Sequence, residues 1–251
     1  MIAQTYLQAS RDAFRGIIRN PTAVVGIFAL QVVFLLSGIL FTPLGSLLGG
    51  TLRSFLFLIL LTIGYGVCET IHQGRSKIRF DDFKQLDWSL FSALINVGFI
   101  LWLTSYLLQV ILPPSGREWI VAAFNIIALF VLNPAPEVAI LKRLDSMAAV
   151  TYCFEFMKLR SFEWVLPIVI LLLPVFCLGG MNVFFLRSAG ADVLLPAALL
   201  LSGAVDAFLY FGRHSVHEYL LLALIGVLHS VLGLWIVLFR LSLFERLERF
   251  R

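Results

Sequence analysis

This sequence is short of charge. Of its 251 residues only 14% are Asp, Glu, Lys or Arg and 60% are hydrophobic, whereas an ordinary soluble domain is about 25% charged. A water-facing surface cannot be assembled from that pool, so lipid is the solvent for most of the chain. Cysteine is scarce too. Cys68, Cys153 and Cys177 are odd in number and lack the spacing of a zinc or redox site. Cys68 and Cys177 fall in apolar runs and read as small packing residues. Enzyme signatures are missing as well: there is no Gly-x-Ser-x-Gly elbow and no glycine-rich phosphate loop ending in Lys-Ser/Thr. The paired glutamates of a glutamate-type intramembrane protease are also missing. The first twenty residues hold no apolar core of a cleavable leader, so the first long apolar run is expected to act as an uncleaved insertion signal.

What the chain does have is apolar runs of about 20 residues, the length that crosses roughly 30 Å of hydrocarbon. They predict an all-α, polytopic transmembrane bundle with spans at about 22–42, 51–72, 90–112, 118–133, 164–186 and 219–239. The segment 1–20 alternates Ile2, Tyr6, Leu7, Phe14, Ile17 and Ile18 with Gln8, Arg11, Asp12, Arg15 and Arg19, as expected of an interfacial amphipathic helix. Asn20-Pro21 reads as an N-cap followed by proline at the first helical position. Residues 21–251 then form a single transmembrane domain, with a further amphipathic helix at about 135–160 lying on the inner surface. The terminal "RLSLFERLERFR" continues the last span and places Glu245 and Arg249 at i,i+4 spacing.

The run "DVLLPAALLLSGAVDAFLYFG" (192–212) is ambiguous: it is long enough to cross, but carries Pro196, Gly203 and Asp206. Charge decides between the topologies. With six crossings and both termini inside, 15 of the 19 Lys and Arg residues are cytoplasmic, leaving Arg53, Arg117, Arg187 and Arg213. A seventh crossing turns the tail outward and leaves 12 inside against 7 outside. Positive-inside bias favours six. The segment 192–212 is then expected to be a re-entrant or surface hairpin on the outer side, its backbone shielded by protein.

Two segments carry a family likeness. One is "GYGVCETIHQGRSKIRFDDF" (64–83), a Gly-Tyr near the end of the second span, then a basic link and a Phe-Asp-Asp-Phe element. The other is "NPAPEVAILKRLDSMAAVTYCFEFMKLRSFEWVLPIVIL" (133–171), a proline break, an amphipathic stretch and the next span. Together, over roughly residues 5–245, the chain resembles the six-span membrane domain attached to some glycerophosphoryl diester phosphodiesterases, and related bacterial membrane proteins of unknown function. The catalytic domain of the fused members has no counterpart here. The resemblance therefore implies a membrane architecture and transfers neither an activity nor a functional residue.

Candidate chemistry centres on "RHSVHEYLLLALIGVLHS" (213–230), which holds three of the four histidines. Helix rise puts His217 and His229 about 18 Å apart, and zinc bonds are about 2 Å long, so one ion cannot take all three. His214, His217 and Glu218 form an edge cluster, read as headgroup anchors or as a partial metal set without the His-Glu-x-x-His order. His229 falls near mid-membrane, where an ionisable group implies a partner. Asp206 is the named partner, with Asn96, Asn125 or a carbonyl as structural alternatives. Glu69 and His72, at i,i+3 near the inner end of the second span, read as edge residues.

The basic residues Arg11, Arg15, Arg19, Arg75, Lys77, Arg79, Lys142 and Arg143 are expected to set topology and to contact anionic headgroups at the cytoplasmic face. These observations together predict a non-enzymatic subunit or scaffold of a bacterial inner membrane, without cofactor, metal or nucleic acid, engaging lipid and a membrane-protein partner or a second copy. The alternative is a small permease or permease subunit with a polar pathway near Asp206 and His229.

Overall fold

A computed structural model describes residues 2–74, 77–113, 115–144, 146–179, 200–201 and 216–249. Among the described residues there are eight α-helices and no strand: α1 (Ile2–Arg19), α2 (Pro21–Phe41), α3 (Gly45–His72), α4 (Trp88–Ile111), α5 (Arg117–Val131), α6 (Ala135–Lys142), α7 (Ser146–Gly179) and α8 (Val216–Arg249). Four stretches are long and apolar enough to cross a membrane: Pro21–Leu44, Leu48–His72, Trp88–Ile111 and Ala223–Arg249. The chain is an all-helical membrane protein, and these four match four of the six expected spans.

The other two expected spans, 118–133 and 164–186, are helical where they are described. Helix α5 has 15 residues, about 22 Å at 1.5 Å per residue, short of the ~30 Å hydrocarbon layer. The Asn133-Pro134 step ends it. The expected span at 164–186 is helical as far as Gly179, where the described residues stop. The single helix expected over 135–160 is in two pieces. Arg143 takes a left-handed conformation (φ 55) that closes α6, and α7 starts afresh at Ser146. From there α7 continues to Gly179 across a kink at Arg160, whose angles are non-helical (φ −132, ψ 19). Most of 192–212 lies outside the described residues, so the hairpin expected there is not placed.

Chain contacts divide the protein into two compact units. The first comprises residues 3–91 and 196–243. Its centre is the α2–α3 hairpin, turned by Thr42-Pro43-Leu44 and by Gly45, whose φ of 82 suits only a residue without a β-carbon. Ile27, Leu61, Tyr65, Cys68, Leu234, Val237 and Leu241 are fully or almost fully buried there. Near the α2–α3 turn, the Arg53 guanidinium lies 4.8 Å from the centre of the Phe34 ring, which also meets Phe57 at 5.4 Å. The cation is held on an aromatic face rather than left in hydrocarbon.

At the other end of α2, three chain segments meet on small residues. Helix α1 packs through Ala9, Ala13 and Ile17, and Gly16 lets it approach Ile71 and Leu238. Asn20 is not the expected side-chain cap of α2. Its Nδ2 donates to the Gly16 carbonyl at 2.9 Å, and its Oδ1 accepts the Ile78 amide N–H at 3.1 Å. The residue thus ties the end of α1 to the link after α3, while Pro21 opens α2 as expected. Beyond Ile78, Phe80–Lys84 makes a tight helical turn, its Arg79 N–H held by the Asp82 carboxylate at 2.7 Å. That turn lays the Phe83 ring directly on Gly26 of α2.

The second unit comprises residues 92–195 and 244–251. Its core is aromatic: Phe156 stacks on Phe244 with centroids 4.7 Å apart, and Trp164 meets both edge-on at 5.5 and 5.9 Å. The Trp164 indole N–H donates to Asn133 Oδ1 at 2.9 Å, so the polar break after α5 is satisfied inside the core. Ala135 to Ile140 of α6 are all buried. Lys142 pairs with Glu248 at 2.5 Å.

A β-carbon at residue 26 would sit 2.0 Å from Cζ of Phe83, a contact that forces one of them to move. Gly26→Ala is therefore expected to destabilise the protein by about 1–3 kcal/mol, the usual range for overpacking. In the Phe83→Ala background the same change should cost much less. Thermal unfolding of the purified chain in mild detergent checks this, and equal effects in both backgrounds would contradict the contact.

Candidate functional site

Gln31 is one of the fully buried polar residues of the first unit. It lies ten residues from each end of α2, and its side chain is fully buried. A polar side chain at that depth has no water to bond, and leaving it unpaired costs several kcal/mol in an apolar medium. Both ends of its amide are engaged. Nε2 donates to the Leu200 carbonyl at 2.9 Å, and the Ser230 hydroxyl lies 3.1 Å from Oε1. The same hydroxyl is 2.8 Å from the Gly226 carbonyl of its own helix, so its proton is shared between two acceptors. Gly64 of α3 makes the room: a β-carbon there would meet Leu200 Cδ2 at 2.6 Å.

This cluster was not legible as such. Sequence reasoning placed the mid-membrane polar pair at Asp206 and His229. Asp206 lies outside the described residues, as does His214. His229 is half-buried, and the residue that reaches Gln31 is its neighbour Ser230. Leu200 and Leu201, the two described residues of 192–212, are fully buried in this unit. The ambiguous run therefore does contribute to the core beside α2 and α3, through Leu200, its backbone carbonyl included. His217 and Glu218 fall in the first turn of α8.

The alternative partners named for His229 have bonds of their own. Asn125 Oδ1 accepts from the Ser105 hydroxyl at 3.1 Å, and Asn96 Nδ2 reaches Ser92 at 3.4 Å. Glu69 is buried near the end of α3 and accepts from Gln73 Nε2 at 2.8 Å. Among the described residues no three His, Cys, Asp or Glu side chains gather as a metal site would require.

The basic set divides. Arg11, Arg15 and Arg19 are all exposed on α1, and Lys77 and Arg79 are exposed in the following link. Arg75 lies outside the described residues. Lys142 is drawn into its ion pair with Glu248, and Arg143 is the left-handed cap of α6. Helix α1 differs from expectation in which face it buries. Ala9, Ala13 and Ile17 pack inward, whereas Leu7 (71%), Phe14 (57%) and Ile18 (64%) are exposed. At 100° per residue those three large side chains share about 40° of arc, and the three arginines occupy about the next 80°. The helix thus has three faces: one toward protein, one apolar and open, one basic and open.

Two outcomes follow. Gln31→Leu removes a side chain that bridges α2, α8 and Leu200, and is expected to cost about 0.5–2 kcal/mol, the range of interhelical hydrogen bonds in membranes. Ser230→Ala should cost less and add little in the Gln31→Leu background; a double-mutant cycle on unfolding in detergent measures the coupling. In the second unit, burial first and the nearby Glu137 second push the Cys153 thiol up to about 12. Alkylation of Cys153 at pH 8 is expected to be negligible in the folded chain and complete after denaturation. Because the thiolate forms more readily when unfolded, this group favours unfolding as pH rises above about 9. Peptide mass spectrometry reads the extent of alkylation.

Comparisons with protein-family models, with curated proteins and with solved structures find no match to this chain.

Proposed function

We propose that this protein is a non-enzymatic membrane subunit or scaffold that works at one membrane face, through α1 and the exposed basic link after α3. The observation that carries the reading is the three-faced α1. A helix fixed to the bundle by Ala9, Ala13 and Ile17 still offers Leu7, Phe14 and Ile18 beside Arg11, Arg15 and Arg19. That pairing suits the boundary between acyl chains and anionic headgroups, where each basic side chain adds roughly 1 kcal/mol. The same surface can serve a partner membrane protein or a second copy. The setting we assign is a bacterial inner membrane, with six crossings and both termini cytoplasmic, on the charge bias of the sequence. The resemblance to the membrane domain of glycerophosphoryl diester phosphodiesterases belongs to the same reading.

The permease alternative draws on the polar groups at mid-span. Gln31 and Ser230 spend their hydrogen bonds on each other and on backbone carbonyls, which favours a lock over a path. Reconstituted flux lost on both His229→Ala and Asp206→Ala would reverse that preference.

The test uses the full chain in vesicles. A thiol-reactive, membrane-impermeant fluorophore is expected to label Gln8→Cys and Arg251→Cys from the same side. With anionic lipid present, the probe at residue 8 should be quenched by headgroup-labelled lipid. Arg11→Glu, Arg15→Glu and Arg19→Glu together should release it, and restore access to an aqueous quencher. Quenching unaltered by charge reversal, or catalytic turnover by the purified chain alone, would overturn the proposal.

A further inference from the structure

The second unit carries an open groove of about 760 Å³ between the end of α5 and one face of α7. Phe130 and Val131 form one wall. The other follows the helical repeat along α7, from Phe154 through Lys158, Ser161, Phe162 and Val165 to Val169. Its size falls within the range of small-molecule and lipid clefts.

The lining is graded along its length. The charged residues of α7 are Glu155, Lys158, Arg160 and Glu163, and beyond Glu163 the helix carries none up to Gly179. Charge therefore stops at a level about 9 Å short of Val169, measured along the axis. Lys158 and Ser161 lie on the charged side of that level, and Val165 and Val169 on the apolar side. Arg160 is occupied by Glu163 at 3.3 Å. Lys158 is exposed and makes no ion pair among the described residues. It is the one charged residue lining the groove.

We infer that this groove is a binding site for one anionic phospholipid, its phosphate at Lys158 and Ser161 and an acyl chain along Phe162, Val165 and Val169 toward Phe130. An amphiphile with a negative head matches both the single cation and the graded wall. A docked helix is the poorer fit. Helices associate in membranes through Gly, Ala, Ser and Thr that let backbones approach, and this wall is made of Phe, Val, Leu and Met apart from Ser161 and Lys158. The inference rests on the reading of this protein as a lipid-engaging membrane subunit, but uses a surface separate from α1.

Native mass spectrometry of the purified full chain tests it, titrating phosphatidylglycerol against phosphatidylcholine of the same acyl chains. One phosphatidylglycerol per chain is expected to bind first, with at least about fivefold preference, and not to be displaced by millimolar inorganic phosphate. Lys158→Glu should abolish the preference and Lys158→Arg should keep it. Ser161→Trp, at an exposed position, should block the first bound lipid while leaving the unfolding midpoint unchanged. Equal binding of the two lipids, or an unaltered preference in Lys158→Glu, would reduce the groove to ordinary annular contact and overturn the inference. A copurifying polypeptide that protects residue 161 from labelling would overturn it in favour of a protein partner. Charge reversal on α1 should leave the first bound lipid and its dependence on Lys158 unchanged, so failure here and failure of the α1 reading are told apart.

Discussion

A side-chain amide buried in hydrocarbon has no water to fall back on, and the core of the first unit is organised around that fact. Gln31 sits midway along α2 with nothing polar on its own helix facing it, so neighbours must supply a donor and an acceptor. They come from α8, as the Ser230 hydroxyl, and from Leu200, as a backbone carbonyl. Gly64 is what allows Leu200 so near. Apolar packing alone is a weak guide to which helix lies where in a membrane, because lipid tails satisfy a leucine as well as another helix does. A single amide with two partners is a stronger one, since a rearrangement that separates them strands the amide and the Leu200 carbonyl.

The end of the unit near α1 is specified differently, by small residues and a bridging asparagine. Ala9, Ala13 and Gly16 allow α1 to lie close to Ile71 and Leu238, and Gly26 accepts the Phe83 ring. Asn20 then joins two segments 58 residues apart with one side chain. These contacts account for the large apolar side chains of α1 being left outside. The inward face is filled by Ala9, Ala13, Gly16 and Ile17, so Leu7, Phe14 and Ile18 are displaced to an exposed face. The helix is amphipathic, as its sequence implies, but its protein-facing stripe and its apolar stripe are different stripes.

The spans were legible because run length and hydropathy are local properties set by the thickness of the hydrocarbon. The four helices long and apolar enough to cross needed nothing more. The lock was not legible, because one glutamine in an apolar run looks the same whether it faces lipid, water or protein. Only the fold brings residue 31 to residues 200 and 230. His229 drew attention as the ionisable group, yet on a helix adjacent residues point about 100° apart, and it is Ser230 that faces Gln31. The break at Arg143 was missed for another reason. A left-handed arginine has no sequence signature, and the amphipathic pattern continues across it in "LKRLDSMAAV". Asn20 does take the N-cap position that Asn-Pro signals, but its side chain is spent on Gly16 and Ile78 rather than on a cap bond.

The hydroxyls of the spans complete the argument about what the core can do. Thr62 donates to Leu58, Thr70 to Gly66 and Thr104 to Ile100, each to the carbonyl one turn back in its own helix. Ser230 does so in part, toward Gly226. Such back-bonding removes a donor from the surface a helix offers its neighbours. A conducting path or a catalytic centre needs polar atoms still unspent once the fold is made, together with room for water beside them. In the described spans the hydroxyls of Thr62, Thr70 and Thr104 are spent on their own turn, that of Ser105 on Asn125, and the Gln31 amide on the lock. That distribution ties up these groups within the fold. It favours the surfaces where charge and apolar area lie side by side, as they do on α1 and along the groove at Lys158.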